Sequence, residues 1–222
     1  GSNPKPGEIS LAHNGVFFLD ELPEFNRDVL EVMRQPLEDR KICIARANYK
    51  IEYPAGVMFV ASMNPCPCGN YPDLNRCTCT TTQIQSYWGK LSQPLLDRID
   101  ICVEAPRIEL EELHARRKGE GSETMRSRIM KAREIQKERL ASDGLHFNAD
   151  MGTDEIAKYC KLGKKELDFM EQVFQSMELS VRSYHKILKV ARTVADLEGS
   201  EKITESHLCE AVCLRSADRR YW

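Results

Sequence analysis

At 222 residues the chain is long enough for one large domain or two small ones, and its 41% hydrophobic and 30% charged residues are those of an ordinary globular protein. A formal net charge of −2 excludes a polycation, so any nucleic-acid contact has to come from a local basic face. No apolar run approaches the ~20 residues that span a bilayer, the opening GSNPKPGEIS has no apolar signal core, and nine cysteines without an export signal point to a reducing, cytoplasmic setting rather than a disulfide scaffold.

The first stretch, residues 1–105, carries short β-type runs. They are GVFFLD (15–20), KICIA (41–45), YKIEY (49–53), GVMFVAS (56–62) and IDICVEA (99–105). The runs at 15–20 and 56–62 are continuously apolar, as in parallel strands buried on both faces. Between the runs, 26–39 places Val29, Leu30, Met33 and Leu37 at helical spacing, and 83–98 reads as a helix broken near Pro94. This mixture predicts an α/β domain with a mostly parallel sheet.

Residues 106–123, with RRKGEGSET at their end, read as a mobile exposed connection. From 124 to 222 the strand signal vanishes. Helical stripes are Met125, Ile129, Ala132 and Ile135; Leu167, Met170, Val173, Phe174 and Met177; Val181, Tyr184, Leu188, Ala191 and Ala195; then Leu208, Ala211, Val212 and Arg215. Ser180 and Thr204 stand where N-caps belong, and Gly163 and Gly199 where helices stop or turn. The prediction is an all-α bundle.

Chemistry concentrates at the ends of the apolar runs. GVFFLD ends in Asp20, followed by Glu21. Ligands in open α/β sheets bind beyond the carboxyl ends of strands. There Asp20 can hold Mg²⁺ through its water shell, and Glu21 can polarise an attacking water. Solvated acids capping the next helix are the plainer alternative. The second run leads to Asn64, whose amide can donate to a phosphate or a lytic water, although an Asn before Pro65 is also an ordinary turn. Arg98, in PLLDRID, is either a guanidinium fork for a transferring phosphoryl group or a surface partner of Asp97 or Asp100. Cys66, Cys68, Cys77 and Cys79 follow C-x-C-x₈-C-x-C. Four thiolates in one loop can bind Zn²⁺ tetrahedrally; two disulfides or four free thiols are the alternatives. The remaining cysteines lie on apolar faces and the five histidines show no ligand spacing.

GVFFLDEL, ASMNPCPCG, PLLDRIDI and LSVRSYHKILKVARTVADLEGSEKI, in that order, resemble the AAA+ ATPases of the magnesium-chelatase-like group. The resemblance runs over nearly the whole chain. It implies the carboxyl-terminal part of an AAA+ core over 1–105 and a helical lid over 124–222. Asp20 and Glu21 match the Walker B pair, Asn64 the sensor 1 residue, and Arg98 the finger that reaches a neighbouring subunit's nucleotide. Arg182 matches the sensor 2 arginine, with Arg192 a weaker candidate on the same face. The hairpin before sensor 1 makes Arg46 and Lys50 candidate DNA contacts, with a merely solvated hairpin tip as the alternative. ATP and Mg²⁺ are the implied cofactors. A hexameric ring acting on DNA in branch migration is the implied assembly; a chelatase-type subunit that remodels a partner protein for metal insertion is the alternative. The phosphate loop G-x-x-x-x-G-K-[ST] is absent, since WGKLSQ and LGKKEL lack its first Gly and its hydroxyl. In the family that loop lies upstream of Walker B. The expectation is therefore a carboxyl-terminal piece of a longer protein, inactive by itself.

Overall fold

The computed structural model describes residues 4–46, 49–105 and 119–215. They form two compact units, one running to Ile99 and one starting at Asp100.

The first unit is α/β. Strands β1 (Val16–Leu19) and β4 (Met58–Ala61) pair in parallel, from Val16 opposite Met58 to Leu19 opposite Ala61. Strands β2 (Lys41–Arg46) and β3 (Tyr49–Pro54) form a separate antiparallel hairpin, in register from Lys41–Pro54 to Arg46–Tyr49. Around them lie α1 (Glu8–Leu11), a 3₁₀ turn (Leu22–Glu24), α2 (Arg27–Val32), α3 (Arg34–Asp39), α4 (Thr81–Trp88) and α5 (Gln93–Leu96). The core joins Leu22, Leu30, Met33, Leu91, Leu95 and Leu96, with Phe17, Leu19 and Phe59 packed on it from one sheet face.

Three expectations are corrected here. The parallel strands are not buried on both faces: Val16 is 59% exposed, Phe18 55% and Met58 67%. Side chains alternate across a strand, and only the Phe17–Leu19 face of β1 meets the helices. The helix read over 26–39 is two helices. Pro36 has no N–H, and its ring collides with the carbonyl four residues back, which is Val32, the last residue of α2. Likewise the break in 83–98 falls after Trp88, and Pro94 sits in the first turn of α5, a position proline tolerates. Finally, residues 99–105 form no strand. The Cys102 N–H donates to the Leu214 carbonyl at 2.7 Å, and Arg215 donates to the Asp100 carbonyl, so this backbone pairs with a helix end instead of a ladder.

The second unit is helical, with α6 (Ser122–Leu140), α7 (Thr153–Tyr159), α8 (Lys164–Ser176), α9 (Val181–Glu198) and α10 (Glu205–Cys213). Its core gathers Leu140, Met151, Ile156, Met170, Ile187, Leu188 and Leu208. Gly199 closes α9 with φ 72°, the left-handed conformation that glycine adopts without strain, and the Ser200 N–H returns to the Ala195 carbonyl at 2.8 Å. Ser180 caps α9: its hydroxyl accepts from the Ser183 N–H at 3.1 Å. Ser180→Ala is expected to lower stability by about 1 kcal/mol, read as a shifted midpoint in chemical denaturation.

The stripe assigned to α6 is rotated. Met125, Ile129 and Ile135 are exposed, and Ala132, Gln136 and Leu140 are inside. A polar cluster sets this orientation. Gln136 accepts from the Asn148 N–H at 3.2 Å, and Arg139 reaches Asp196 of α9 with both terminal nitrogens, at 2.7 and 2.6 Å.

Candidate functional site

Because β1 and β4 are parallel, their carboxyl ends lie side by side. Cross-links continue past the ladder. The Ser62 N–H donates to the Leu19 carbonyl at 3.0 Å, and the Leu22 N–H donates to the Ser62 carbonyl at 2.9 Å. The Ser62 hydroxyl donates to Asp20 Oδ1, which also accepts from the Glu21 N–H at 3.0 Å. Asp20 is thus held at the strand tip by its neighbours. Glu21 is exposed and has φ 52°, ψ 50°. A non-glycine residue in that region is strained by about 1–3 kcal/mol, and such strain gathers at functional positions.

Asn64 stands two residues beyond Ser62, exposed at the same strand ends. Helix α4 grips this segment. Trp88 Nε1 donates to the Pro65 carbonyl at 2.9 Å. Burial pushes the Tyr87 phenol up, and the charge of Glu24 adds to the rise. The structure therefore brings Asp20, Glu21 and Asn64 to one edge of a parallel strand pair.

Arg98 is engaged inside its own unit. Its Nε donates to the Arg34 carbonyl at 2.9 Å and lies 3.2 Å from a Glu38 carboxylate oxygen, and Nη1 donates to the Pro94 carbonyl at 2.6 Å. Arg182 belongs to the helical unit, exposed in the first turn of α9. Arg192 is set aside as a phosphate ligand. It is 2% exposed, and it donates to Asp196 at 3.1 Å, to the Glu201 carbonyl at 2.8 Å and to the Ser200 carbonyl at 2.5 Å. Its guanidinium is consumed in holding the C-terminus of α9. On the hairpin, Arg46 ends β2 and Lys50 lies on β3 opposite Ala45; Lys50 is exposed, with Nζ 3.8 Å from Glu52. The residues between Arg46 and Tyr49 lie outside the described ones.

Next along the chain, Cys66, Cys68, Cys77 and Cys79 gather, with all four Sγ atoms within 4.8 Å of one another. Cys66 to Cys68 is 3.4 Å, Cys66 to Cys77 3.8 Å, and Cys68 to Cys77 3.6 Å. Backbone N–H groups of Thr78 and Asn70 pull the Cys68 thiol down to about 5. Burial, with the thiols of Cys68 and Cys66, pushes Cys79 up to about 12. Cys66 and Cys68 are thus shifted down while Cys77 and Cys79 are shifted up.

A family model described as magnesium chelatase, subunit ChlI, matches residues 1–113, and one described as its C-terminal part matches residues 119–215. The chain belongs to the magnesium chelatase ChlI family. Its α/β unit and its helical unit are those of a partial AAA+ core and a helical lid. Within this magnesium-chelatase-like group, the chain is 47% identical over 220 residues to competence protein ComM of Haemophilus influenzae and 44% identical over 220 residues to YifB of Escherichia coli. Each match covers 99% of the chain and 42% of the relative, so the chain spans about two fifths of their length. No helix among the described residues is long and apolar enough to cross a membrane.

One further hydrogen bond at the strand ends and one beside them were not read from the sequence. Ser62 bonds Asp20 only because of the strand register, which no local pattern discloses. The hold of Trp88 on the Pro65 carbonyl depends on a contact 23 residues away in the chain. The indole N–H was the available signal, since a buried one needs an acceptor.

Proposed function

We propose that the chain supplies the Walker B, sensor and lid portions of a cytoplasmic ATP-driven motor, a ring of six subunits that acts on DNA. The observation that carries this reading is the placement of Asp20, Glu21 and Asn64 at adjoining carboxyl ends of a parallel strand pair, with Glu21 in a strained backbone conformation. ATP with Mg²⁺ would supply the phosphoryl group and its charge neutralisation. Asp20 would hold the metal's water shell, and Glu21 would orient and polarise the attacking water. Asn64 would position that water or the terminal phosphate. Arg182 would reach the same phosphate from the lid. Arg98 would serve a neighbouring subunit's nucleotide, for which its bonds to Arg34, Pro94 and Glu38 have to open. Arg46 and Lys50 would meet the DNA backbone. The DNA part rests on the family resemblance, on the competence name of the Haemophilus relative, and on the cations of the hairpin.

The chain by itself lacks the glycine-rich cradle of backbone N–H groups that supplies much of phosphate affinity. Calorimetric titration of the 222-residue chain with Mg-ATP is expected to give a Kd of about 1 mM or weaker, and a Kd near ~1 µM would contradict the role given to the missing loop. In the longer protein, ATPase activity is expected to rise on adding DNA. Stimulation by a chelatase partner protein and not by DNA would replace the motor with a subunit that remodels that partner.

A further inference from the structure

Residues 62–80 link β4 to α4 without any helix or strand. Loops of this length without internal structure are uncommon unless something else holds them. In this loop, Leu74 at its middle is 82% exposed. What it has is four cysteines, two near each end, whose sulfurs meet. A zinc ion with four thiolates at ~2.3 Å needs sulfurs about 3.8 Å apart. The separations of 3.4, 3.8 and 3.6 Å among Cys66, Cys68 and Cys77, with Cys79 Sγ within 4.8 Å of each, are compatible with that tetrahedron. A disulfide would need ~2.05 Å. Amide groups already point at the sulfurs: the Tyr71 N–H at Cys66 Sγ, 3.4 Å, and Asn70 Nδ2 at Cys68 Sγ, 3.7 Å. Donors to ligating sulfur stabilise its negative charge and orient it. A set of four soft thiolates in a tetrahedron selects zinc over hard cations.

The cluster is bonded to the strand-tip site. Cys66 lies two residues after Asn64, and Cys79 lies just before Thr80, the N-cap of α4. Helix α4 in turn holds the backbone next to Asn64 through the bond from Trp88 to the Pro65 carbonyl. Gly69, with φ 74°, returns the loop beside the Asn64 side chain, and its N–H donates to the Cys66 carbonyl at 2.9 Å.

We infer that Cys66, Cys68, Cys77 and Cys79 bind one Zn²⁺, and that this structural centre positions Asn64 by clamping both ends of the loop between β4 and α4. The metal does no chemistry on substrate, because four protein ligands leave no open position. The inference rests on the proposed function only in giving Asn64 a phosphate-facing role.

The test needs no nucleotide, so its failure would leave the strand-tip reading standing. The full chain purified under reducing conditions is expected to carry about one zinc by elemental analysis. Replacing the zinc with Co²⁺ should give the intense visible bands of a tetrahedral cobalt–thiolate centre. Cys77→Ser and Cys79→Ser should lose the metal while the helical unit keeps its circular dichroism. For the positioning role, Trp222→Phe leaves Trp88 as the one indole, since the chain has two tryptophans. Chelation should then shift its emission to the red as the bond to Pro65 loosens. A metal-free chain, iron in place of zinc, cysteines paired as disulfides under reducing purification, or zinc retained in both serine variants would overturn the metal site. Zinc removal that leaves the Trp88 emission unchanged would overturn the clamp.

Discussion

Asp196→Ala is expected to destabilise the helical unit by about 3–5 kcal/mol, the cost of breaking a buried ion pair and leaving its partners uncompensated. Asp196 is 2% exposed and is the one anion at the centre of its cluster. It accepts from both terminal nitrogens of Arg139, from Arg192 Nε at 3.1 Å and from Asn148 Nδ2 at 2.8 Å. Burial pulls the Arg192 pKa down, and Asp196 pulls it back up, so the carboxylate is the counter-charge that offsets burying that guanidinium. Alanine would strand two guanidinium groups, one of them almost fully enclosed. Because a domain's whole stability is typically ~5–15 kcal/mol, the loss should show as a large drop in the denaturation midpoint by circular dichroism. A midpoint within error of the parent would mean the cluster is worth no more than an exposed pair, ~0–1 kcal/mol. A further double variant, Arg139→Met with Arg192→Met on the Asp196→Ala background, should recover part of the loss, because apolar groups of similar volume need no counter-charge.

On the proposed function, Glu21→Gln in a protein that carries this chain together with a phosphate loop should reduce ATP turnover by roughly 10²–10⁴-fold, the usual contribution of a positioned general base, while nucleotide affinity stays within a few-fold. Glutamine is nearly isosteric and still accepts a hydrogen bond, but it cannot draw a proton from water. Asp20→Asn should behave differently. It removes charge from the group proposed to hold the metal's water shell, so it should weaken Mg-ATP binding itself. The two acids are adjacent, yet their backbone settings differ: Asp20 is bonded to Ser62 and to the Glu21 N–H, whereas Glu21 sits in the left-handed region. That difference predicts a split, with kcat carrying the Glu21 effect and binding carrying the Asp20 effect. Equal turnover in the parent and Glu21→Gln would remove Glu21 from the chemistry and leave its strained backbone without a role in hydrolysis.

Much of this was legible residue by residue. The Asp20–Glu21 pair after an apolar run, the β-type runs at 41–45 and 49–53, the caps at Ser180 and Gly199, and the cysteine spacing are local patterns. They follow from capping geometry, strand alternation and ligand spacing, which act over a few residues. They sufficed for an α/β part, a helical part and a candidate site at the strand ends.

The tertiary structure decided which faces those elements show. Apolar residues occur on two sides of α6, and the choice of Ala132, Gln136 and Leu140 as the inner face follows from the bonds of Arg139 to Asp196 and of Gln136 to Asn148. Arg182 and Arg192 share a helix and a charge, yet one is exposed and the other is buried against Asp196. The continuously apolar run at 15–20 is equally compatible with two covered faces, but helices pack on only one. Periodicity tells a chain how its backbone can run; burial depends on which distant surface arrives, and that information is spread over residues tens of positions apart.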